Sequence, residues 1–177
     1  TYQKYFAVAI GDIYKNICAE GLIPKTTEIE KAAIIKKAIN YPCAFRLIDD
    51  VQNDRITPLI KKDAFFPFKN EITNKDFFRL VHPNYLIPYL VYARIAFETT
   101  ESIEVSYEGV MASCLQIVVP LKLEPDGDYI WYIQRGIPLV LNQQNKILAH
   151  YNTYTFFRNY NPHETMYIEP QVLINEQ

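Results

Sequence analysis

Between Pro125 and Phe157 the chain reads PDGDYIWYIQRGIPLVLNQQNKILAHYNTYTFF. Two long runs rich in aromatic and β-branched residues flank the polar cluster NQQNK, and EPDGD precedes the first of them. Runs of this kind, bounded by Asp-Gly and Asn-rich clusters, are strand–turn–strand signals. The pattern predicts strands near Ala112 to Glu124, Tyr129 to Leu141 and Ile147 to Phe157, joined by hairpins. Alternation along the middle strand puts Ile130, Tyr132, Gln134 and Gly136 on one face, and Tyr129, Trp131, Ile133, Arg135 and Ile137 on the other. Both faces carry apolar groups, so each needs a cover.

Helical segments that supply those covers lie upstream. Phe6, Ile10, Ile13 and Ile17 recur at three- and four-residue steps, which places them on one helical face. EGLIPK, from Glu20, ends that helix through Gly21 and Pro24. A second helix starts at Thr27, whose spacing to Glu30 fits a capping box, with Ile29, Ala32, Ala33, Ile35 and Ile39 as its apolar face. After Pro42, the stretch CAFRLIDDVQNDRITPLIKKDAFFPF has the short apolar runs and Asp, Asn and Pro punctuation of strands and turns. Thr73 to Leu80 then reads as a short helix, and Asn84 as the cap of a longer one in which Pro88 falls in the first turn.

The expected architecture is α+β, with an antiparallel sheet. A helical extension spans residues 1–41, the compact domain 42–160, and a tail or linker 161–177.

The chain has 177 residues, about half of them apolar, and a formal charge of −2, which suits one folded unit rather than a disordered chain. Lys and Arg are scattered without a basic stripe, which disfavours direct nucleic-acid binding. No apolar run reaches the roughly 18 residues of a membrane span, so a cytoplasmic protein without membrane contact is expected. Cys18, Cys43 and Cys114 are widely separated and read as reduced core residues rather than a disulfide or metal framework. His82, His150 and His163 share no ligand spacing, and no metal site is expected. His82 before Pro83 reads as a helix-start residue, and Asp49-Asp50 as an exposed acidic pair at a turn. No nucleophile elbow, phosphate loop or HExxH motif occurs, so no catalysis is expected.

FFRLVHPNYL, followed by a helix, a strand, PDGDYIWYIQRGIPLVLNQQNK and a final strand, resembles the PAS domain family over roughly Cys43 to Phe157. It is similar to the sensory module of LuxR-type bacterial regulators, which carry a helix-turn-helix. Asn145 stands where many PAS domains have Gly, and RNYNPHE replaces the usual closing segment. Asn tolerates the left-handed backbone that such a turn needs.

The resemblance implies a five-stranded sheet with helices on one face and the N-terminal extension on the other. It implies a sensor or interaction module that binds a small molecule or partner, dimerises, and meets DNA only through a separate module. Tyr132 and Gln134 would face a pocket to which Tyr89, Tyr92, His150 and Tyr154 add polar tips, and Trp131 and Ile133 would face the cover or a partner together with Phe6, Ile10 and Ile13. No cofactor is expected: the long helix lacks a haem-ligating His, and the reactive-cysteine motif of flavin photosensors is missing. Two other readings stand beside this one: a small α+β enzyme with a cone-shaped pocket in which His150 or an Asp is the base, and a ligand-free dimerisation module.

Overall fold

In the computed structural model, which describes residues 23–59, 66–102 and 113–172, the first helix, α1, spans Glu28–Ala38. Its start is the capping box expected at Thr27: Thr27 Oγ1 accepts from Glu30 N at 3.2 Å, and Glu30 Oε2 accepts from Thr27 N at 2.7 Å. Two orphan backbone donors are thereby satisfied. The buried side is Ile34 and Ala38 with Ile35 half-buried, whereas Ile29 is 84% exposed. The expected face was therefore rotated from the observed one. Apolar residues occur on several sides of this helix, and anchors at its ends select which side is buried. Lys25 N donates to Leu141 O at 2.8 Å and Leu141 N to Thr26 Oγ1 at 2.9 Å. At the other end the buried Arg46 guanidinium donates to Ile39 O at 3.1 Å and Tyr41 O at 2.6 Å, complementing the negative end of the helix.

Strands β1 (Phe45–Asp50) and β2 (Arg55–Pro58) form a hairpin. Asp50 Oδ1 accepts from Asn53 N at 3.1 Å in its turn, and Asp54 takes the left-handed conformation, φ 50°. Asp54 Oδ1 accepts from the backbone N of Asn74 at 3.0 Å and its Nδ2 at 2.9 Å. That pins the start of α2, Asn74–Phe78, to the hairpin. Thr73 and Asp76 form a second capping box.

His82 caps a 3-10 turn over Pro83–Tyr85, its Nδ1 accepting from Asn84 N at 3.2 Å. Asn84, expected as the cap, lies inside this turn. Proline without an N–H suits the first helical position, so the cap falls one residue before it. The turn continues into α3, Leu86–Ser102, with Pro88 in its first turn.

Strands β3 (Ser113–Leu121), β4 (Ile130–Leu141), β5 (Ile147–Asn159) and β6 (Tyr167–Val172) complete one open antiparallel sheet in the order β2-β1-β5-β4-β3-β6. Among the described residues six strands are present rather than five. The additional β6 lies in the stretch expected to be a tail, and Pro170 within it is accommodated because β6 is an edge strand. Pro138 lies in the interior strand β4 beside a register shift between Pro138 and Val140. A bulge relieves the ladder where a proline cannot donate. In the β4–β5 turn Asn145 has φ 61°. Asn142 Oδ1 accepts there from Gln144 N at 2.9 Å and Lys146 N at 2.8 Å.

The sheet is covered on both faces. Ile137, Leu139 and Tyr151 meet α1, while Phe45, Leu47, Ile117 and Tyr154 join the core containing residues of α2 and α3. Trp131, expected toward a cover or partner, is instead fully buried within the chain, against Tyr85 at 5.3 Å and Tyr160 at 5.9 Å between ring centroids. Those rings come from the 3-10 turn and from the residue that follows β5, and they close over it within the chain. Ile133 is partly buried against the same core. Phe6, Ile10 and Ile13 lie outside the described residues, as does Cys18. Cys43 is half-buried rather than in the core.

Candidate functional site

Strand register assembles the helix-covered face into rows. Phe45, Tyr154, Gln134 and Ile117 stand in line across β1, β5, β4 and β3. Leu47, Asn152 and Gly136 form the next row, and Ile56, Asp49, His150 and Pro138 the third. Because strand side chains alternate, these residues all project to one side. Above them α2 contributes Asn74, Phe77 and Phe78, and α3 contributes Tyr89, Ala93, Ala96, Phe97 and Thr100. Between the layers lies a cavity of about 60 Å³, several times the roughly 10–15 Å³ that one water needs.

Its polar groups are concentrated on the sheet. Asp49, 6% exposed, holds His150 Nε2 at 2.8 Å through Oδ2 and receives Asn74 Nδ2 at 3.4 Å on Oδ1. Phe97 meets the His150 ring edge-on at 5.0 Å between centroids. Gln134 Nε2 donates to Asn152 Oδ1 at 3.2 Å, while Gln134 Oε1 is buried without a hydrogen-bond partner. A buried, unpaired carbonyl of this sort costs about 1–3 kcal/mol. Burial pushes the Tyr89 hydroxyl well above the usual phenol range, Asp49 adds to the shift, and hydrogen bonds from Tyr154 and Gln134 work against it. Tyr89 therefore stays a neutral hydroxyl at physiological pH.

A glycine makes room on the floor. A Cβ on Gly136 would stand 3.1 Å from Asn152 Oδ1 and 3.7 Å from His150 Nδ1. The first distance is tighter than carbon normally tolerates, so a side chain here would displace Asn152 or fill the space beside His150.

No protein-family model matches the chain, and no curated protein matches it. The site is thus described by its own chemistry. Among the described residues no group of three or more His, Cys, Asp and Glu side chains converges on a point that would hold a metal. No described helix is long and apolar enough to cross a membrane.

Of the six pocket residues expected, Tyr89, Gln134, His150 and Tyr154 line the cavity. Tyr132 does not: it packs edge-on to Phe45 at 5.5 Å, deeper in the core. Tyr92 is turned away, its hydroxyl directed at Met166 O at 3.5 Å. Asp49 is a correction in the opposite sense, since it is buried in the cavity floor rather than exposed in a turn, while Asp50 alone serves the turn. The alternation of Phe45, Leu47 and Asp49 was the sequence signal that could have placed it. The same alternation along β5, applied to His150 and Tyr154, points to Asn152. Nothing local marks Asn74, which arrives through its bonds to Asp54.

Proposed function

We propose that this chain is a PAS-like sensor or interaction domain that binds a small molecule between its sheet and α2–α3, and passes the binding event to an attached output module. The order of elements supports the reading: two strands, a helical segment on one sheet face, then three hairpin-linked strands followed by the edge strand β6, with α1 on the opposite face. The observation that carries it is the cavity on the helix-covered face, with Gln134 Oε1 buried in its wall and unpaired. A route for the signal is available. Phe97 and Thr100 line the cavity, and Glu101 on the same helix binds Lys146 Nζ and, at 3.1 Å, Ile147 N at the start of β5. An occupant that pushes α3 moves the β4–β5 turn with it. Homodimerisation belongs to the same reading, and the exposed apolar row Ile87, Val91 and Ile95 on α3 suits it.

Native mass spectrometry of the freshly purified chain tests this proposal. A small molecule that travels with the protein and is lost from a folded Gly136→Leu variant is the expected result. A chain that carries nothing, accepts nothing from a metabolite mixture and is indifferent to Gly136→Leu overturns it in favour of a ligand-free module.

The Asp49–His150 pair favours a second reading, a small hydrolase or isomerase. A carboxylate that holds one imidazole nitrogen leaves the other able to take a proton. Turnover of a substrate in a broad screen, abolished by His150→Gln with binding retained, would favour that reading over the sensor.

A further inference from the structure

We infer that the cavity takes a small uncharged molecule with an aromatic or aliphatic body and an O–H or N–H donor, which donates to Gln134 Oε1. This rests on the reading that the cavity binds a ligand. Most of the wall is apolar, including Leu47, Phe77, Phe78, Phe97 and Pro138, which suits a hydrocarbon body. The polar groups are largely spent on one another. Asp49 is bonded through both oxygens, to His150 and Asn74, and Asn152 Oδ1 is taken by Gln134 Nε2. Gln134 Oε1 remains, enclosed by a residue only 7% exposed. An amide oxygen accepts hydrogen bonds and donates none, so it selects a donor.

His150 reinforces the selection. Its Nε2 faces the Asp49 carboxylate, which favours the tautomer with the proton there and leaves Nδ1, beside Gly136, as a second acceptor. Among the described residues that line the cavity none is Lys or Arg, and Asp49 is an acid. An anion entering would lose its hydration without meeting a Lys or Arg among the described lining residues, and it would approach a carboxylate. The geometry therefore disfavours carboxylates, phosphates and nucleotides.

The full chain can be titrated, by ligand-observed NMR, with phenol, benzonitrile and benzoate: one ring bearing a donor, an acceptor only, or a negative charge. The expected result is binding of phenol about tenfold tighter than benzonitrile, the worth of one hydrogen bond of ordinary strength, with benzoate weakest. Gln134→Met should bring phenol and benzonitrile to near equality. If benzonitrile or benzoate binds as well as phenol, and Gly136→Ala weakens that binding, the cavity reading stands and the donor inference falls. If phenol is preferred and Gln134→Met leaves the preference unchanged, the assignment to Gln134 is overturned. Failure of all three probes to bind overturns both the inference and the cavity reading beneath it.

Discussion

Asp49 and His150 are register partners on the adjacent strands β1 and β5, and this pairing sets Oδ2 2.8 Å from Nε2 inside the covered face of the sheet. A directly opposed pair on one face brings side chains into contact without help from a loop, so the two groups hold each other before anything enters the cavity.

Removing one member strands the other. Asp49→Ala is expected to lower unfolding stability by about 1–3 kcal/mol by leaving a buried ring nitrogen unpaired. Combined with His150→Ala, the loss should fall short of the sum of the single changes by about 0.5–3 kcal/mol, the range for residues in contact. Urea unfolding of the four proteins in the cycle measures this, and additive losses would contradict the pairing.

Trp131 is the chain's single tryptophan and is fully buried. Its fluorescence should be blue-shifted in the folded protein, insensitive to iodide, and red-shifted on unfolding. Trp131→Ala should cost about 3–5 kcal/mol, as for other large core truncations. Iodide quenching of the native signal would show that the ring is exposed.

The cap at His82 makes stability depend on acid. Burial lowers its pKa from the ordinary 6.5, and its Nδ1 must be unprotonated to accept from Asn84 N. The folded-state value lies below the unfolded one, so the unfolded chain takes up the proton first on acidification. This contribution is complete above about pH 6.5 and is lost as pH falls through the lowered folded value. His82→Asn keeps a capping side chain that does not titrate. The difference in stability between the two proteins should therefore shift in favour of the variant between pH 7 and 5, and parallel pH curves would refute the assignment.

Asn145 adopts φ 61° in the β4–β5 turn. Asn145→Gly should leave stability unchanged or slightly raised. Asn145→Ala should cost about 1 kcal/mol, because a Cβ without a compensating polar group is strained in that region. Thermal melts of both variants decide this, and equal melting temperatures would remove the strain argument.

The last three hairpin-linked strands were legible because their runs are long and bounded by strong turn residues, and the capping box at Thr27 was legible because it is entirely local. What depended on tertiary choice was not. The buried face of α1 is selected by contacts to Leu141 and Arg46 far away in sequence. Strand β6 is short, carries Pro170, and exists through pairing with β3. Within the site, alternation located Gln134, His150 and Tyr154. It could equally have located Asp49, had the local look of an acidic pair before a turn not outweighed it. Tyr92 was misplaced because helical spacing says which residues share a side, not which neighbour that side meets.

The β4–β5 turn is tied to helices on both faces of the sheet. The start of α1 is bonded to Leu141, with Lys25 Nζ on Asn145 Oδ1, and the end of α3 is bonded through Glu101 to Lys146 and Ile147. The sheet between these helices is a barrier to side-chain contact, yet the turn at its rim is hydrogen-bonded to both layers at once. On the sensor reading proposed above, an occupant on one side would have a bonded path to the side it never touches.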